Sequence, residues 1–208
     1  MQTLYFVRHG QTELNAKDHV QGGDIDSPLL EKSREDAVKT GLYLRNEPID
    51  RLISSPQLRA KNTALLINSQ FQTELPFEIE PLLKEFGYGE WEGLHIPTVA
   101  KQWPETFYHL RNQPHLYDPR SFGGESYPDL IKRGTKAVTD YADRYSDANL
   151  LFVGHSITLT ATILSLVGYD LKDIRSQTPM ANTSVSRLKR QGDRFILESW
   201  NETAHLDE

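Results

Sequence analysis

Two short apolar runs end in the same way, and this repeated pattern constrains the chain more than any other feature. Residues 4–7 are continuously apolar and lead into Arg8 and His9, while residues 150–153 are also apolar and lead into His155. Apolar runs of this length are typical of buried strands. In open α/β sheets, ligands bind beyond the carboxyl ends of parallel strands. The pattern therefore predicts a parallel sheet with two histidines at its ligand-binding edge.

Strands alternate with helical segments along most of the remaining chain. The pattern predicts strands over 51–54 and 77–79, helices over 30–46, from 56 onwards, over 126–145 and over 157–167, and a hairpin within 184–200. This alternation predicts an α/β fold, a three-layer sandwich whose mostly parallel central sheet is flanked by helices. We expect Ser55 to cap the helix starting at Pro56, with Leu58 and Leu65 facing inward. The last eight residues are predicted to be a polar tail.

Residues 86–124 interrupt this alternation, because they are rich in glycine, proline and aromatic residues. We expect an irregular cap there, with one or two short helices near 97–112. Most of its aromatic side chains are predicted to pack the cap onto the sheet, while some shape substrate choice. No linker divides the chain, so residues 1–208 are predicted to form one domain.

The composition excludes several classes of protein. A net charge of −6 argues against a broad surface for nucleic acid or anionic membranes. The absence of cysteine rules out disulfides, zinc–thiolate sites and cysteine nucleophiles. No apolar run approaches the roughly 18 residues of a membrane span, and the N-terminus does not resemble a signal peptide. We therefore expect a cytoplasmic enzyme or binding protein.

Two further residues carry chemistry that suits the predicted edge. Arg59 lies near the start of a predicted helix, and its planar guanidinium suits phosphate oxygens. Taken alone, such an arginine is more often a surface residue. Glu85 lies between Phe86 and a glycine-rich turn, where a carboxyl group can act as an acid, although a solvated loop residue is the simpler interpretation.

Taken together, these segments resemble the histidine phosphatase superfamily in its first branch, which is phosphoglycerate mutase-like. The matching segments follow the family's order and are residues 8–12 with Asn15, 54–60, 83–93, 123–126, 154–156 and 182–185. The second branch carries a further arginine and a proline where this chain has Thr12 and Leu14. The resemblance is specific for the superfamily and does not single out one member.

The resemblance implies a phosphomonoesterase that forms a phosphohistidine on His9. Arg8, Arg59 and a protonated His155 are then expected to offset the charge of the phosphate, so that no metal and no cofactor are needed. Glu85 is expected to protonate the leaving alkoxide and later to activate water, which requires a protonated carboxyl group at the start. The further phosphate- or substrate-binding candidates are Asn15, Gln21, Gly22 and Ser156.

A cofactor-dependent phosphoglycerate mutase is the main alternative within the family. Such mutases carry an extra basic insertion after the acid. Here the corresponding segment is short and only sparsely basic, with Lys84, Lys101, Arg111 and Arg120. A second phosphate would have few partners there, so we favour hydrolysis of a small phosphomonoester.

Two other classes of protein remain as remoter alternatives. Residues 154–158 resemble part of the nucleophile elbow of a serine hydrolase, but Thr158 stands where that turn needs glycine. A phospho-ligand-binding protein without activity is the other alternative, although every residue expected for the chemistry is present. The sequence leaves the substrate and the oligomeric state open.

Overall fold

A computed structural model describes residues 1–207, and it confirms an α/β fold built on one six-stranded sheet. The strands are β1 (Gln2–Arg8), β2 (Arg51–Ser54), β3 (Phe77–Ile79), β4 (Leu150–Gly154), β5 (Val185–Gln191) and β6 (Arg194–Glu202). The helices are α1 (Glu13–Ala16), α2 (Glu31–Leu44), α3 (Leu58–Asn68), α4 (Ile96–Gln102), α5 (Pro104–Asn112), α6 (Tyr127–Arg144) and α7 (Ser156–Leu166). No helix within residues 1–207 is long and apolar enough to cross a bilayer.

The strand order places the two predicted histidine-bearing strands side by side. The order is β3-β2-β4-β1-β5-β6, in which the first four strands are parallel and the β5–β6 hairpin is antiparallel. Arg8 lies opposite Gly154 in the register of β1 and β4, and the His9 backbone N–H donates to the Gly154 carbonyl at 2.9 Å. His9 and His155 therefore leave the sheet at the same edge.

The sheet is covered on both faces, as the continuously apolar strands require. Side chains alternate between faces along a strand, so Leu4 and Phe6 of β1 join a buried cluster that includes Val138 of α6. Tyr5 and Val7 join another cluster on the opposite face, which includes residues of α2 and α3. Helices on both sides of a mixed, mainly parallel sheet make the expected three-layer sandwich.

The cap contains the two short helices that its sequence predicts, α4 and α5, joined by irregular segments. Its centre is an aromatic cluster in which Trp91 stacks on Phe122 with ring centroids 4.1 Å apart. Trp91 is fully buried, whereas Tyr108 on α5 is exposed. The cluster continues into buried residues of α6 and α7, which join the cap to the layer beneath it.

The start of α3 differs from the sequence-based prediction. The helix begins at Leu58 with Gln57 as its N-cap residue, not at Pro56 with Ser55 as the cap. The reason is that the Ser55 backbone N–H donates to the Val153 carbonyl at 2.9 Å, which extends the hydrogen bonds of the sheet by one residue. Leu58 and Leu65 were expected to face inward, but they are 59% and 43% exposed.

Up to residue 207, the C-terminal segment is packed against the protein and is not the polar tail that its composition predicts. Residues Ala204–Leu206 form a 3-10 turn. The ring of His205 stacks on Tyr43 of α2 with centroids 4.8 Å apart, and its Nε2 lies 3.1 Å from Thr40 Oγ1. These contacts hold the segment against α2, while residue 208 lies outside the described residues.

Candidate active site

His9 follows β1 directly and is oriented by its own neighbour in the chain. Its Nδ1 lies 2.7 Å from the Gly10 carbonyl, which can only accept a hydrogen bond, so Nδ1 carries the proton and Nε2 is free. Burial lowers the pKa of His9 well below its usual value, and the positive charges of Arg59 and Arg8 lower it further. The imidazole is therefore neutral near pH 7, with a lone pair on Nε2.

His155 follows β4 and lies against His9, with ring centroids 5.1 Å apart. Its Nε2 lies 2.7 Å from Ser55 Oγ, at the end of the neighbouring strand. Burial lowers the pKa of His155 well below its usual value, and Arg59 and His9 lower it further. The protonated state expected from the sequence is therefore not favoured in the ligand-free protein, because protonation needs an anion in the site.

Arg8 and Arg59 both lower the pKa of His9 by their charge, but only Arg8 is among the residues that line the cavity next to His9. Arg8 Nη1 donates to the Met180 carbonyl at 2.6 Å. Arg59 is buried, and its Nη1 donates to Asp26 Oδ1 and to a neighbouring carbonyl, both at 3.0 Å, while Nη2 donates to the Gly22 carbonyl at 2.9 Å. A guanidinium has five N–H donors. Three are used by Arg59 within residues 1–207, so two are left for an anion.

Glu85 reaches the site from the loop before the cap. Its carboxyl oxygens accept hydrogen bonds from the Phe86 N–H at 2.8 Å, the Thr158 N–H at 3.1 Å and Thr158 Oγ1 at 2.9 Å, with the Ile157 N–H at 3.4 Å. These donors belong largely to the first turn of α7, which starts immediately after His155. Glu85 is therefore a buried, oriented carboxyl group and not a solvated loop residue.

The remaining predicted binding residues have different positions. Asn15, Gln21 and Ser156 line a cavity of about 260 Å³ together with the predicted nucleophile and the predicted acid. Gly22 is not among the residues that line it. The Gly22 carbonyl is used by the buried guanidinium described above, and a Cβ at this position would clash with the carboxyl group of Glu92. Close approach of the backbone is the reason for glycine there.

Two residues that the sequence analysis did not single out connect these parts. Gln57 donates from Nε2 to the Gly22 carbonyl and accepts the Glu85 backbone N–H at Oε1, both at 2.8 Å. Asp26 bridges the buried arginine and the Leu58 N–H, which its Oδ2 accepts at 2.6 Å. Gln57 lies inside a segment that matched the family pattern, whereas nothing in the loop sequence distinguished Asp26.

Arg133 and Arg175 were also missed. Arg133 on α6 pairs with Glu125 at 2.6 Å and donates to the Glu85 carbonyl and to two carbonyls just before it. Arg175 lines the same cavity as the predicted nucleophile. Both lie outside the segments that matched the family pattern, and the tertiary structure brings them to the site.

The whole chain resembles proteins of one family. The family model for the histidine phosphatase superfamily (branch 1) matches residues 4–203. The chain is 30% identical over 215 residues to the probable phosphoglycerate mutase GpmB of Salmonella paratyphi A, covering 100% of this chain and 96% of that protein. It is 29% identical over 205 residues to putative phosphoserine phosphatase 2 of Hydrogenobacter thermophilus, covering 99% and 98%.

Solved structures agree with this relationship. YhfR of Bacillus stearothermophilus superposes with a TM-score of 0.92 at 30% identity, covering 99% of this chain and 100% of that chain. A mycobacterial glucosyl-3-phosphoglycerate phosphatase in complex with VO3 superposes with a TM-score of 0.88 at 25% identity, covering 98% and 100%. The relatives thus include proteins named as mutases and proteins named as phosphatases.

Proposed function

The chain belongs to branch 1 of the histidine phosphatase superfamily, and from that premise we propose that it is a phosphomonoesterase acting on small phosphorylated metabolites. The observation that carries the proposal is the state of His9. Its Nδ1 proton is held by the Gly10 carbonyl and its pKa is lowered by burial and by the charges of Arg59 and Arg8, so Nε2 keeps its lone pair near two guanidinium groups. A neutral, oriented imidazole is a competent nucleophile.

The reaction has two steps. His9 Nε2 attacks phosphorus, the ester P–O bond breaks, and the Glu85 carboxyl group gives its proton to the leaving alkoxide. Water then attacks the phosphohistidine, Glu85 takes the proton of that water, and inorganic phosphate leaves with His9 neutral again. The guanidinium groups of Arg8 and Arg59 offset the charge on the transferred group. Entry of the phosphate dianion also favours protonation of His155, because it opposes the cations that lower the pKa of His155.

We propose that no metal takes part in this reaction, because two arginines supply the positive charge that a metal supplies in other phosphatases. Prolonged dialysis against EDTA is therefore expected to leave kcat unchanged. A loss of activity that is restored by one divalent cation would contradict this part of the proposal.

The test of the nucleophile is a panel of phosphomonoesters assayed by release of inorganic phosphate. We expect His9→Ala to lower kcat by at least about 10³-fold and to lose the acid-labile phosphoenzyme label. His115→Ala is the matched control, because His115 is exposed and does not line the cavity. Wild-type turnover in His9→Ala would show that another residue is the nucleophile.

A phosphoglycerate mutase is the second candidate, because one relative carries that name. Hydrolysis is favoured because, of the four cations in the segment around and after the acid, only Arg111 lines the cavity. Lys84 pairs with Asp24 at 2.6 Å and Arg120 pairs with Asp118, and neither cation lines the cavity. A coupled assay with phosphoglycerate and bisphosphoglycerate separates the two activities, since a hydrolase releases phosphate and does not isomerise the substrate.

A further inference from the structure

Two arginines that line the cavity have no part in the proposed mechanism, and we propose that they form a second anion-binding subsite. The residues are Arg111 on α5 and Arg175, which follows the 3-10 turn Leu171–Asp173. The subsite selects phosphomonoesters whose leaving group carries an apolar spacer and then a second anionic group, a carboxylate or a phosphate. This inference rests on the proposed function and names its substrate class.

Neither guanidinium is neutralised by the protein. Within residues 1–207, Arg111 and Arg175 form no ion pair with any carboxylate. The contrast with nearby arginines is clear, because Arg120 pairs with Asp118 and Arg133 on α6 also has an acidic partner. Arg111 is exposed and Arg175 is half-buried, so both guanidinium groups at this cavity remain available to an external anion.

Each arginine has an apolar residue that anchors its segment. The Arg111 guanidinium lies over the ring of Phe107, 5.4 Å from its centroid, and Phe107 also lines the cavity. The residue before Arg175, Ile174, is fully buried and anchors the segment.

Tyr88 lines the same cavity as Glu85 and Arg175. Burial raises the pKa of Tyr88 well above its usual value, the charge of Glu85 raises it further, and the charge of Arg175 opposes this rise. Tyr88 therefore has the proposed proton donor and Arg175 as charged neighbours. Glu85 is the proposed proton donor to the leaving oxygen, so the part of the substrate that follows this oxygen shares the cavity with Arg175.

The charge and polarity of the cavity fit such a substrate. Glu85 is the one carboxylate among the described lining residues, against three guanidinium groups. In the proposed mechanism one phosphate dianion is matched by Arg8 and Arg59, so Arg111 and Arg175 are available to a second anion. The apolar members of the lining suit the spacer, and they include Trp91, Ile96, Phe107, Leu110 and Ile157.

This inference revises one expectation from the sequence. The segment after Glu85 was counted as sparsely basic, so a second anionic group was expected to find few partners. That count omitted Arg175, which lies outside the cap in sequence but shares a cavity with Arg111. The second anion therefore has two partners, contributed by different parts of the chain.

The test uses substrates that differ only in the charge of the distal group: para-carboxymethylphenyl phosphate, its neutral carboxamide and its phosphonomethyl analogue. We expect the wild-type protein to prefer the carboxylate or phosphonate substrate over the carboxamide by at least about tenfold in kcat/KM. Arg111→Gln and Arg175→Gln are each expected to reduce that ratio about threefold or more, with little change for the carboxamide. Arg120→Gln, an exposed arginine in the same cap, is the control and keeps the ratio.

Equal kcat/KM values for charged and neutral substrates in the wild type would overturn the subsite, as would an unchanged ratio in both arginine variants. Calorimetry with the matching non-hydrolysable phosphonates separates this failure from failure of the proposed function. Preferential binding of the anionic phosphonate without any turnover would refute the hydrolase and keep the subsite. Turnover that depends on His9 but is the same for charged and neutral substrates would support the hydrolase and refute the subsite.

Discussion

Glu85 shows how a single side chain is prepared for a role by its neighbours. Its carboxyl group accepts hydrogen bonds from Phe86 and from both the N–H and the hydroxyl of Thr158. Three donors leave the carboxyl group little rotational freedom. The same carboxyl group lines the cavity with His9, so it is available to a leaving group bound there.

The first prediction concerns proton transfer by this residue. Glu85→Gln keeps the shape and an acceptor oxygen but cannot donate a carboxylic proton. We expect kcat/KM to fall by about 10²–10⁴ with alkyl phosphates and by less than about tenfold with para-nitrophenyl phosphate, whose phenolate leaves without a proton. The kcat/KM value is the right measure, because it reports only the steps up to phosphohistidine formation.

The control for this variant is Glu90→Gln, since Glu90 is an exposed carboxylate in the same segment. It is expected to behave as wild type with both substrates. An equal loss on alkyl and nitrophenyl phosphates in Glu85→Gln would remove Glu85 as the general acid.

At the scale of elements, the start of α3 is organised by a residue from a distant loop. Asp26 accepts the Leu58 N–H at 2.6 Å and pairs with Arg59 at 3.0 Å. One carboxylate therefore satisfies an unpaired donor of the first helical turn and holds the buried guanidinium.

The second prediction follows from this double contact. Asp26→Ala leaves the Leu58 N–H and one Arg59 donor without partners, so we expect the free energy of unfolding to fall by about 1–3 kcal/mol. Because Arg59 also loses its fixed position, kcat/KM is expected to fall by at least about tenfold. Urea unfolding and a phosphate-release assay measure the two effects.

Asp24→Ala provides the comparison for Asp26→Ala. Asp24 is in the same loop, but its partner is the half-exposed Lys84. Exposed pairs contribute little, so a change below about 1 kcal/mol is expected. Equal effects of the two substitutions would mean that the Arg59 contact has no special importance.

The third prediction concerns the attachment of the acid loop to α6. Arg133 pairs with Glu125 and donates to three backbone carbonyls, of Leu82, Lys84 and Glu85. Arg133→Gln removes most of these donors from partly buried acceptors, so a loss of about 2–4 kcal/mol is expected. The acid loop also loses its support, so kcat/KM is expected to fall more for alkyl phosphates than for nitrophenyl phosphate.

Arg144→Gln on the same helix is the matched control, because the Arg144 side chain is 56% exposed. Its free energy of unfolding is expected to change by less than about 1 kcal/mol. The dependence of kcat/KM on the leaving group is expected to stay as in the wild type. An Arg133→Gln variant that is destabilised but keeps the wild-type dependence on the leaving group would show that Arg133 has only a structural role.

At the scale of the whole molecule, the buried histidines couple stability to pH. Burial, together with Arg59 and the other nearby cations, lowers the pKa of both His9 and His155. Below a pH of about 6.5, the unfolded chain binds protons at these positions that the folded protein does not bind. The free energy of unfolding is therefore highest above that pH and decreases as the pH falls through it.

The fourth prediction is the size of this decrease. Each histidine contributes up to about 1.4 kcal/mol per pH unit below pH 6.5, so the pair contributes up to about 2.7. Urea unfolding between about pH 7.5 and 5.5 measures the slope in the wild type and in the double variant His9→Asn with His155→Asn. The carboxylates are the same in both proteins, so the difference isolates the histidines. Equal slopes would contradict the lowered pKa values.

We also propose that residues 1–208 form one domain, with the cap as an insertion. The aromatic cluster of the cap shares buried residues with α6 and α7, and these helices also cover the sheet. An unfolding transition that is single and coincident by tryptophan fluorescence and far-UV circular dichroism is expected. Two separate transitions would indicate that the cap folds on its own.

Local patterns were sufficient for much of this structure. The continuous apolar runs predict β1 and β4 because both strands are buried on both faces, and the hairpin of β5 and β6 follows from alternation around a turn containing Gly192. The convergence of His9 and His155 at one edge follows from the parallel pairing of their strands. The roles of the predicted site residues remain predictions until the variants are assayed.

Other features depend on contacts between residues that are distant in sequence. Arg59 was a candidate from its position near a helix start, yet its burial depends on Asp26 and Gly22, more than thirty residues earlier. Leu58, an apolar residue, points to solvent instead. The periodicity of α3 does not reveal this rotation, because its hydrophobic face is weak and includes a charged residue.

The sequence by itself determined the succession of strands and helices along the chain, the edge of the sheet where the histidines meet and the family of the protein. These features depend on local apolar periodicity and on the pairing rules of parallel strands. Only the tertiary structure decided that His9 is neutral, that Glu85 is fixed by α7, and that Arg111 and Arg175 face one cavity. The physical reason is that desolvation and charge pairing depend on which distant groups are packed together, and no local pattern encodes that arrangement.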